Sequence, residues 1–178
     1  HFTDRRQRQM CIRDRCSMRS IEKGDMISFD TDLIGPYGYC SDISRSWICG
    51  TTPTSEQKRL FDFAREQIEH NISVLKPGKS FREISEQCWP IPEEFLSNRY
   101  SSLIHGVGLA DEYPNIKHWN DFEQKGYDGI IEPGMTLCVE SFIGSEGGRE
   151  GVKLEEQVLI TKTGVERMSD YPFELKIS

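Results

Sequence analysis

The sequence predicts an α+β domain with a curved antiparallel sheet and helices on one face of the sheet. Three observations lead to this fold class. Strand-like alternation on both sides of the turn residues GPYG predicts a β-hairpin over residues 26–50. Two helical segments follow the hairpin, and strands are predicted for most of the remaining chain. This order of hairpin, helices and strands is typical of α+β domains.

Capping residues and apolar spacing predict the two helices. The first begins at Thr54 or Ser55, keeps apolar residues at helical spacing, and ends at the turn KPG. The second begins at Ser80, and the prolines that follow it disturb the helix before it resumes towards Leu96. Both helices are therefore expected to bury one apolar face against the sheet.

The second half of the chain predicts three strands separated by loops. A short strand, SSLI, leads into the glycine-rich loop HGVGLADEYP, and the polar stretch WNDFEQKGYDG is predicted to be a loop. A strand over 135–142 is followed by a hairpin loop and by the strand VKLEEQVLIT.

Composition excludes several classes of function. The 178 residues carry a net charge of −7, and no apolar run approaches the ~20 residues of a membrane span. Residues 24–178 hold 15 basic and 26 acidic side chains, which disfavours a nucleic-acid partner. Six scattered cysteines without a CxxC pair, and no secretory signal, predict a reduced, cytoplasmic protein.

The first twenty residues differ from the rest. They are rich in arginine and lack apolar periodicity, so we expect residues 1–20 to be either a disordered basic segment or non-native sequence. The stretch MCIRDR resembles translated sequencing-adapter sequence. We therefore expect the natural protein to be longer and to include an N-terminal domain missing here.

Three aspartates in the predicted hairpin raise the question of what neutralises them. Asp30 and Asp32 are two apart and are expected to share one face of a strand, with Asp42 beside them on the returning strand. Convergent carboxylates need a cation. Two solutions remain open: Arg45 could be the partner of a solvated acidic face, or the aspartates could bind metal.

Three later residues add to this set. His105 ends the strand SSLI, Glu140 lies in an apolar strand, and Glu155 follows Leu154 in another. Each has an ordinary structural interpretation when taken alone. Together with the aspartates they give one imidazole and five carboxylates, a set that suits manganese, iron, cobalt or zinc, often in pairs.

The order of these motifs, with the glutamates in PGMTLCVES and GVKLEEQVLIT, resembles the pita-bread metallopeptidases, which include methionine and proline aminopeptidases, prolidase and creatinase. The resemblance implies that residues 21–178 form a pita-bread catalytic domain with two divalent metal ions. Asp42 and Glu155 would bridge these ions. The implied ligands are Asp30, Asp32, Asp42, His105, Glu140 and Glu155.

Two departures indicate one branch of that family. The paired Asp30 and Asp32 replace a single aspartate, and Asp111 stands where the peptidases carry a second histidine. With both departures, the sequence resembles the metal-dependent dimethylsulfoniopropionate lyases of marine bacteria. This resemblance implies that the enzyme cleaves dimethylsulfoniopropionate to dimethyl sulfide and acrylate, with Asp111 as the catalytic base. It implies iron as the metal, while manganese, zinc and cobalt suit the same ligands.

Other interpretations stay open. An Xaa-Pro metalloaminopeptidase or prolidase would use the same metal site, and a non-catalytic binding module is a third possibility. Aromatic faces stabilise sulfonium-like cations, so Tyr39, Tyr100 and Trp119 are candidates for substrate binding. The expected partners are a small-molecule substrate and, in the full-length protein, a second copy of the chain in a homodimer; no nucleic acid or membrane is expected.

Overall fold

A computed structural model describes residues 20–176 of the chain. The expectation for residues 1–20 therefore concerns a segment that, except for Ser20, lies outside the described residues. Within the described part, seven strands form one antiparallel sheet, in the order β1-β4-β8-β7-β5-β6 with β9 on β8, and β2 and β3 form a two-stranded ribbon. The strands are β1 (Met26–Asp30), β2 (Leu33–Ile34), β3 (Cys40–Ser41), β4 (Ser44–Ile48), β5 (Ser102–Gly106), β6 (Asn115–Lys117), β7 (Thr136–Ile143), β8 (Val152–Ile160) and β9 (Val165–Arg167).

Four α-helices accompany the sheet in the described residues: α1 (Ser55–Val74), α2 (Phe81–Glu86), α3 (Glu93–Leu96) and α4 (Trp119–Lys125). Capping boxes at Thr54 and Ser80 satisfy backbone N–H groups at the starts of α1 and α2. Both starts were predicted from sequence. None of the helices within residues 20–176 is long and apolar enough to span a membrane.

The predicted loop over WNDFEQKGYDG was wrong in its first half, because α4 forms there. The His118 side chain accepts a hydrogen bond from the backbone N–H of Asn120, at 3.3 Å, and caps this helix. Phe122 is the buried apolar anchor of α4, and the acidic Asp121 lies in its first turn. With so few apolar positions, the segment shows too little periodicity for the helix to be predicted.

The predicted hairpin over 26–50 exists, but its central part differs from the prediction. Strands β1 and β4 pair antiparallel, with Asp30 opposite Ser44. Asp32 lies beyond the end of β1 with a φ of 38°, in the left-handed region. The expectation that Asp30 and Asp32 share one strand face was therefore wrong, since the strand alternation ends between them.

The two faces of the sheet have different surroundings. Helix α1 packs on one face over β7 and β8, where Leu137, Val139 and Leu154 belong to the apolar core. Ser141 on this face donates a hydrogen bond to Gln67 of α1 at 2.7 Å. Alternate residues of β7 and β8 point to the opposite face. That face carries several buried charged side chains.

Candidate metal centre

Strands β5, β7 and β8 bring the histidine and both glutamates together. In the register of the sheet, His105 lies opposite Cys138, and Glu140 lies directly opposite Glu155. All four side chains are buried. Buried carboxylates require a compensating cation, so their convergence on the side of the sheet away from α1 marks a specialised site.

The imidazole of His105 lies between two different sets of oxygens. Its Nε2 atom is 3.4 Å from Oε1 of Glu140 and 3.3 Å from Oε1 of Glu155. Its Nδ1 atom is 3.1 Å from the carbonyl oxygen of Gly106, to which it can donate. This arrangement is common in metal-binding histidines, because a hydrogen bond at one nitrogen orients the other towards the ion.

Two of these buried atoms have no hydrogen-bond partner among the described residues: Nε2 of His105 and Oε1 of Glu155. Burial lowers the pKa of His105, but the carboxylates of Glu140 and Glu155 outweigh burial and raise it to about 11. The pocket therefore favours positive charge at Nε2. A metal ion can supply that charge in place of the proton, and the residues present fit such an ion.

The aspartates form a second group that shares Asp42 with the first. Ligand atoms of Asp30, Asp32 and Asp42 lie within 4.8 Å of one another, as do those of Asp42, His105, Cys138 and Glu155. Burial, and then the charges of Glu155 and the other aspartates, raise the pKa of Asp42 to about 9. Asp42 thus lies where two cation sites would meet, and its bridging role stays a prediction.

Sequence reasoning missed three residues at this site. Cys138 is fully buried, and its Sγ lies 3.3 Å from the backbone oxygen of Asp42. The Ser44 hydroxyl lies 2.7 Å from Oδ1 of Asp30 and 2.8 Å from Oε2 of Glu155. The third is Lys153, two residues before Glu155 on β8. Strand alternation could have indicated Lys153, because residues two apart share a face.

Lys153 supplies the cation nearest to the glutamates. Its Nζ contacts Oε2 of Glu140, lies 3.0 Å from Oε2 of Glu155, and lies 3.7 Å from Oδ2 of Asp30. Burial disfavours its ammonium form, but the charges of Glu140 and Glu155 raise the pKa of Lys153 above its ordinary value. The same positive charge contributes to lowering the pKa of Glu155, against the effect of burial.

Arg45 is not the partner of the aspartates, which was one of the two solutions left open by the sequence. Its guanidinium lies 3.0 Å from Oε2 of Glu156 and 2.7 Å from the backbone oxygen of Tyr171, and it covers the ring of Phe173 at 4.1 Å. Because Arg45 and Ser44 are neighbours on a strand, their side chains point to opposite faces. Arg45 therefore lies on the face of the sheet opposite to Ser44, where it pairs with Glu156.

Asp111 lies on the loop after β5, at the edge of the site. Its side chain is 32% exposed, and its Oδ1 is 3.8 Å from Nδ1 of His105. It therefore approaches the imidazole from the side opposite the two glutamates. A backbone hydrogen bond of 2.7 Å from Cys40 to the oxygen of Gly108 joins this loop to the β2–β3 ribbon.

The three aromatic candidates are placed differently. The ring of Tyr100 is closest to the site, with Nζ of Lys153 5.1 Å from its centroid. Tyr39 is more than half exposed on the β2–β3 ribbon. Trp119 begins α4 beside the edge strand β6, and its ring lies 5.9 Å from that of His118. A role for any of them in substrate binding stays a prediction.

Comparisons with known proteins agree with this geometry. Residues 5–162 match the model of Metallopeptidase family M24. The chain is 46% identical over 160 residues to a dimethylsulfoniopropionate lyase DddP of Roseovarius nubinhibens, and 43% identical to one of Roseobacter denitrificans. Each match covers 89% of this chain and 36% of the relative. The chain thus spans little more than a third of the length of these curated relatives.

Solved structures give the same result for the fold. An Xaa-Pro dipeptidase from Bacillus anthracis superposes with a TM-score of 0.72 at 29% identity, over 91% of this chain and 44% of that one. Prolidase from Pyrococcus furiosus superposes with a TM-score of 0.71 at 27% identity, over 88% of this chain and 44% of that one. The predicted α+β pita-bread fold is confirmed, and the chain belongs to metallopeptidase family M24.

Proposed function

We propose that this chain is the catalytic part of a metal-dependent lyase that cleaves dimethylsulfoniopropionate to dimethyl sulfide and acrylate. The two relatives at 43–46% identity carry the name of that activity. The proposal also includes a cytoplasmic homodimer for the full-length protein, as expected from the sequence. Because the chain spans about a third of those relatives, the activity is proposed for the full-length protein that contains it.

The metal ligands in this proposal are His105 and five carboxylates. Members of family M24 typically bind divalent metals, and iron is the expected metal, although manganese, zinc and cobalt suit the same donors. When bound, such ions would hold the carboxylate of the substrate and acidify its α-carbon. The proposed ligands are Asp30, Asp32, Asp42, His105, Glu140 and Glu155.

Asp111 carries out the proposed proton transfer. Its carboxylate removes a proton from the α-carbon, and the electrons of that C–H bond form the double bond of acrylate. The bond between the β-carbon and sulfur breaks, and its electron pair leaves with dimethyl sulfide. The leaving group needs no proton. The side chain of Asp111 is partly exposed and therefore accessible to a substrate, whereas the glutamates are buried.

The observation that carries this proposal is a carboxylate next to the histidine of the candidate centre. Oδ1 of Asp111 lies 3.8 Å from Nδ1 of His105. An ionised carboxylate accepts protons but cannot donate one. It would also repel the oxyanion that develops when a peptide bond is attacked. The same group therefore favours elimination over peptide hydrolysis.

Peptide hydrolysis is the second candidate. An Xaa-Pro dipeptidase of Pyrococcus furiosus is 29% identical to this chain over 164 residues, and several solved relatives are prolidases. Such an enzyme would use the same metal ligands with a proton donor near the scissile carbonyl. The non-catalytic binding module stays a third interpretation, and the presence of all six proposed ligands disfavours it.

The test uses the purified full-length protein with dimethylsulfoniopropionate and with Xaa-Pro dipeptides in parallel. We expect release of dimethyl sulfide, and we expect Asp111→Asn to lower its rate by ~10²–10⁴ while metal content is unchanged. Glu112→Gln is the matched control, because it removes the neighbouring exposed carboxylate on the same loop. Its rate should stay close to that of the wild type.

Three outcomes would contradict this proposal. Faster cleavage of Xaa-Pro dipeptides than release of dimethyl sulfide would favour the peptidase. Full lyase activity in Asp111→Asn would remove Asp111 as the base. Equal losses in Asp111→Asn and Glu112→Gln would mean that the shape of the loop matters and the carboxylate of Asp111 does not.

A further inference from the structure

Lys153 is the one buried lysine among the described residues, and its position is unusual for that residue type. It lies on β8 with only 6% of its surface exposed. Its ammonium group contacts Oε2 of Glu140 and lies 3.0 Å from Oε2 of Glu155. Charged hydrogen bonds of this kind are strong and directional, so they restrain both carboxylates.

These contacts divide the oxygens of each glutamate between two partners. The Oε2 atoms of Glu140 and Glu155 face Lys153. The Oε1 atoms of the same residues lie 3.4 and 3.3 Å from Nε2 of His105. With Oε2 held by the ammonium group, a carboxylate cannot rotate away without breaking a buried ion pair. Lys153 thereby determines where both Oε1 atoms lie.

Charge balance gives an independent reason for a fixed cation here. The proposed ligands include five carboxylates, on Asp30, Asp32, Asp42, Glu140 and Glu155. Two divalent ions would neutralise four of their charges and leave one. The ammonium group of Lys153, which also lies 3.7 Å from Oδ2 of Asp30, neutralises the fifth. A neutral centre is the least costly one to bury.

We propose that Lys153 is a positioning residue of the metal centre, holding Oε2 of Glu140 and Glu155 so that their Oε1 atoms face His105 and the ion. This inference rests on the metal site of the proposed function, and it is independent of the reaction catalysed there. Groups that orient metal ligands typically change metal affinity by 10–100-fold when they are removed.

A purely structural role makes a different prediction. If Lys153 only neutralised buried charge, a neutral replacement would destabilise the fold but leave metal affinity unchanged or tighter, because a repelling cation is gone. If it positions the ligands, affinity falls although that repulsion is removed. The direction of the change in affinity therefore separates the two roles.

The test measures cobalt(II) affinity by competition with a chromogenic chelator, together with the visible spectrum of the bound ion, on the full-length protein. We expect Lys153→Met and Lys153→Gln to weaken cobalt binding 10–100-fold and to shift the spectrum. Lys153→Arg is the conservative control. It keeps the charge and can donate to both carboxylates, so its affinity should fall less than that of either neutral variant.

Every other outcome of these measurements either supports or overturns the proposal. Affinity in Lys153→Met equal to or tighter than that of the wild type overturns it, and so does an equal loss in Lys153→Arg and Lys153→Met. A neutral variant that folds only at cobalt concentrations at least tenfold above those needed by the wild type supports it. A neutral variant that does not fold at any cobalt concentration overturns the proposal, since the lysine is then needed for the fold itself. A wild type that binds no cobalt overturns this inference and the proposed metal site together.

Discussion

Ser44→Ala is the substitution whose consequence follows most directly from the geometry of the site. The Ser44 hydroxyl is fully buried and lies 2.7 Å from Oδ1 of Asp30 and 2.8 Å from Oε2 of Glu155. A hydrogen bond to a charged group contributes about 1.5–3 kcal/mol. We expect the free energy of unfolding of this domain to fall by that amount in the presence of a chelator.

The assay is urea unfolding at neutral pH, with Ser46→Ala as the matched control. Ser46 lies on the same strand and is about as buried, but its hydroxyl bonds neutral groups. It donates to the backbone oxygen of Lys153 at 2.7 Å, accepts from the backbone N–H of Lys153 at 3.2 Å, and lies 2.7 Å from the hydroxyl of Ser28. Each neutral hydrogen bond contributes about 0.5–1.5 kcal/mol, so the control should also lose stability. It should leave metal affinity close to that of the wild type, because no proposed ligand loses a partner. Ser44→Ala should also weaken metal binding by about tenfold. No loss of stability in Ser44→Ala, or equal metal affinities in Ser44→Ala and Ser46→Ala, would refute the reasoning.

Three further predictions concern single groups. Arg45→Met should lower the free energy of unfolding in urea by about 3–5 kcal/mol, because the buried carboxylate of Glu156 is left unpaired. The double variant Arg45→Met, Glu156→Leu should lose less stability than Arg45→Met alone. A double variant less stable than the single one would contradict this prediction. Burial lowers the pKa of His118 to about 4, so the unfolded chain binds this proton near pH 6.5 and the native chain does not. The free energy of unfolding should therefore fall by roughly 3 kcal/mol from pH 6.5 to pH 4. His118→Asn, which can still cap α4, should remove that part of the pH dependence. An unchanged dependence of stability on pH in this variant would show that His118 is not its source. Asp30→Ala and Asp32→Ala should each lower metal content measured by elemental analysis, and a variant of Asp30 with full metal content would leave that residue in a supporting role.

The fold was largely predictable because its long elements have strong local patterns. Helix α1 has a capping box at Thr54 and a buried apolar face, so its start and its inner side follow from the sequence. Strands β7 and β8 place Leu137, Val139 and Leu154 in the core and pair Glu140 with Glu155 on the opposite face. Helix α4 was missed because its cap is a histidine and its apolar positions are few.

The sequence predicted which residues form the site, but it predicted their local geometry less well. Asp42, His105, Glu140 and Glu155 were indicated by polar residues in apolar strands, and they lie together in the structure. The place of Asp32 depends on a left-handed backbone conformation, which alternation cannot reveal. Such local geometry is set by the turn that follows β1.

Strand alternation places Lys153 on the same face as Glu155, but its burial could not be predicted from sequence because lysine is ordinarily exposed. Its burial depends on carboxylates contributed by β1, β7 and β8, which meet only in the folded sheet. Arg45, in contrast, is near the aspartates in sequence but points to the opposite face. Proximity along the chain was therefore a poor guide to which cation the carboxylates contact.

Anomalous diffraction from crystals of the full-length protein soaked in cobalt(II) tests the metal centre most directly. The account predicts an ion at ~2.0–2.3 Å from Nε2 of His105, with Asp42, Glu140 and Glu155 in direct contact with it, and a second ion between Asp42 and the other aspartates. An anomalous peak elsewhere in the chain, or density in which Glu140 and Glu155 ligate no ion, would contradict it.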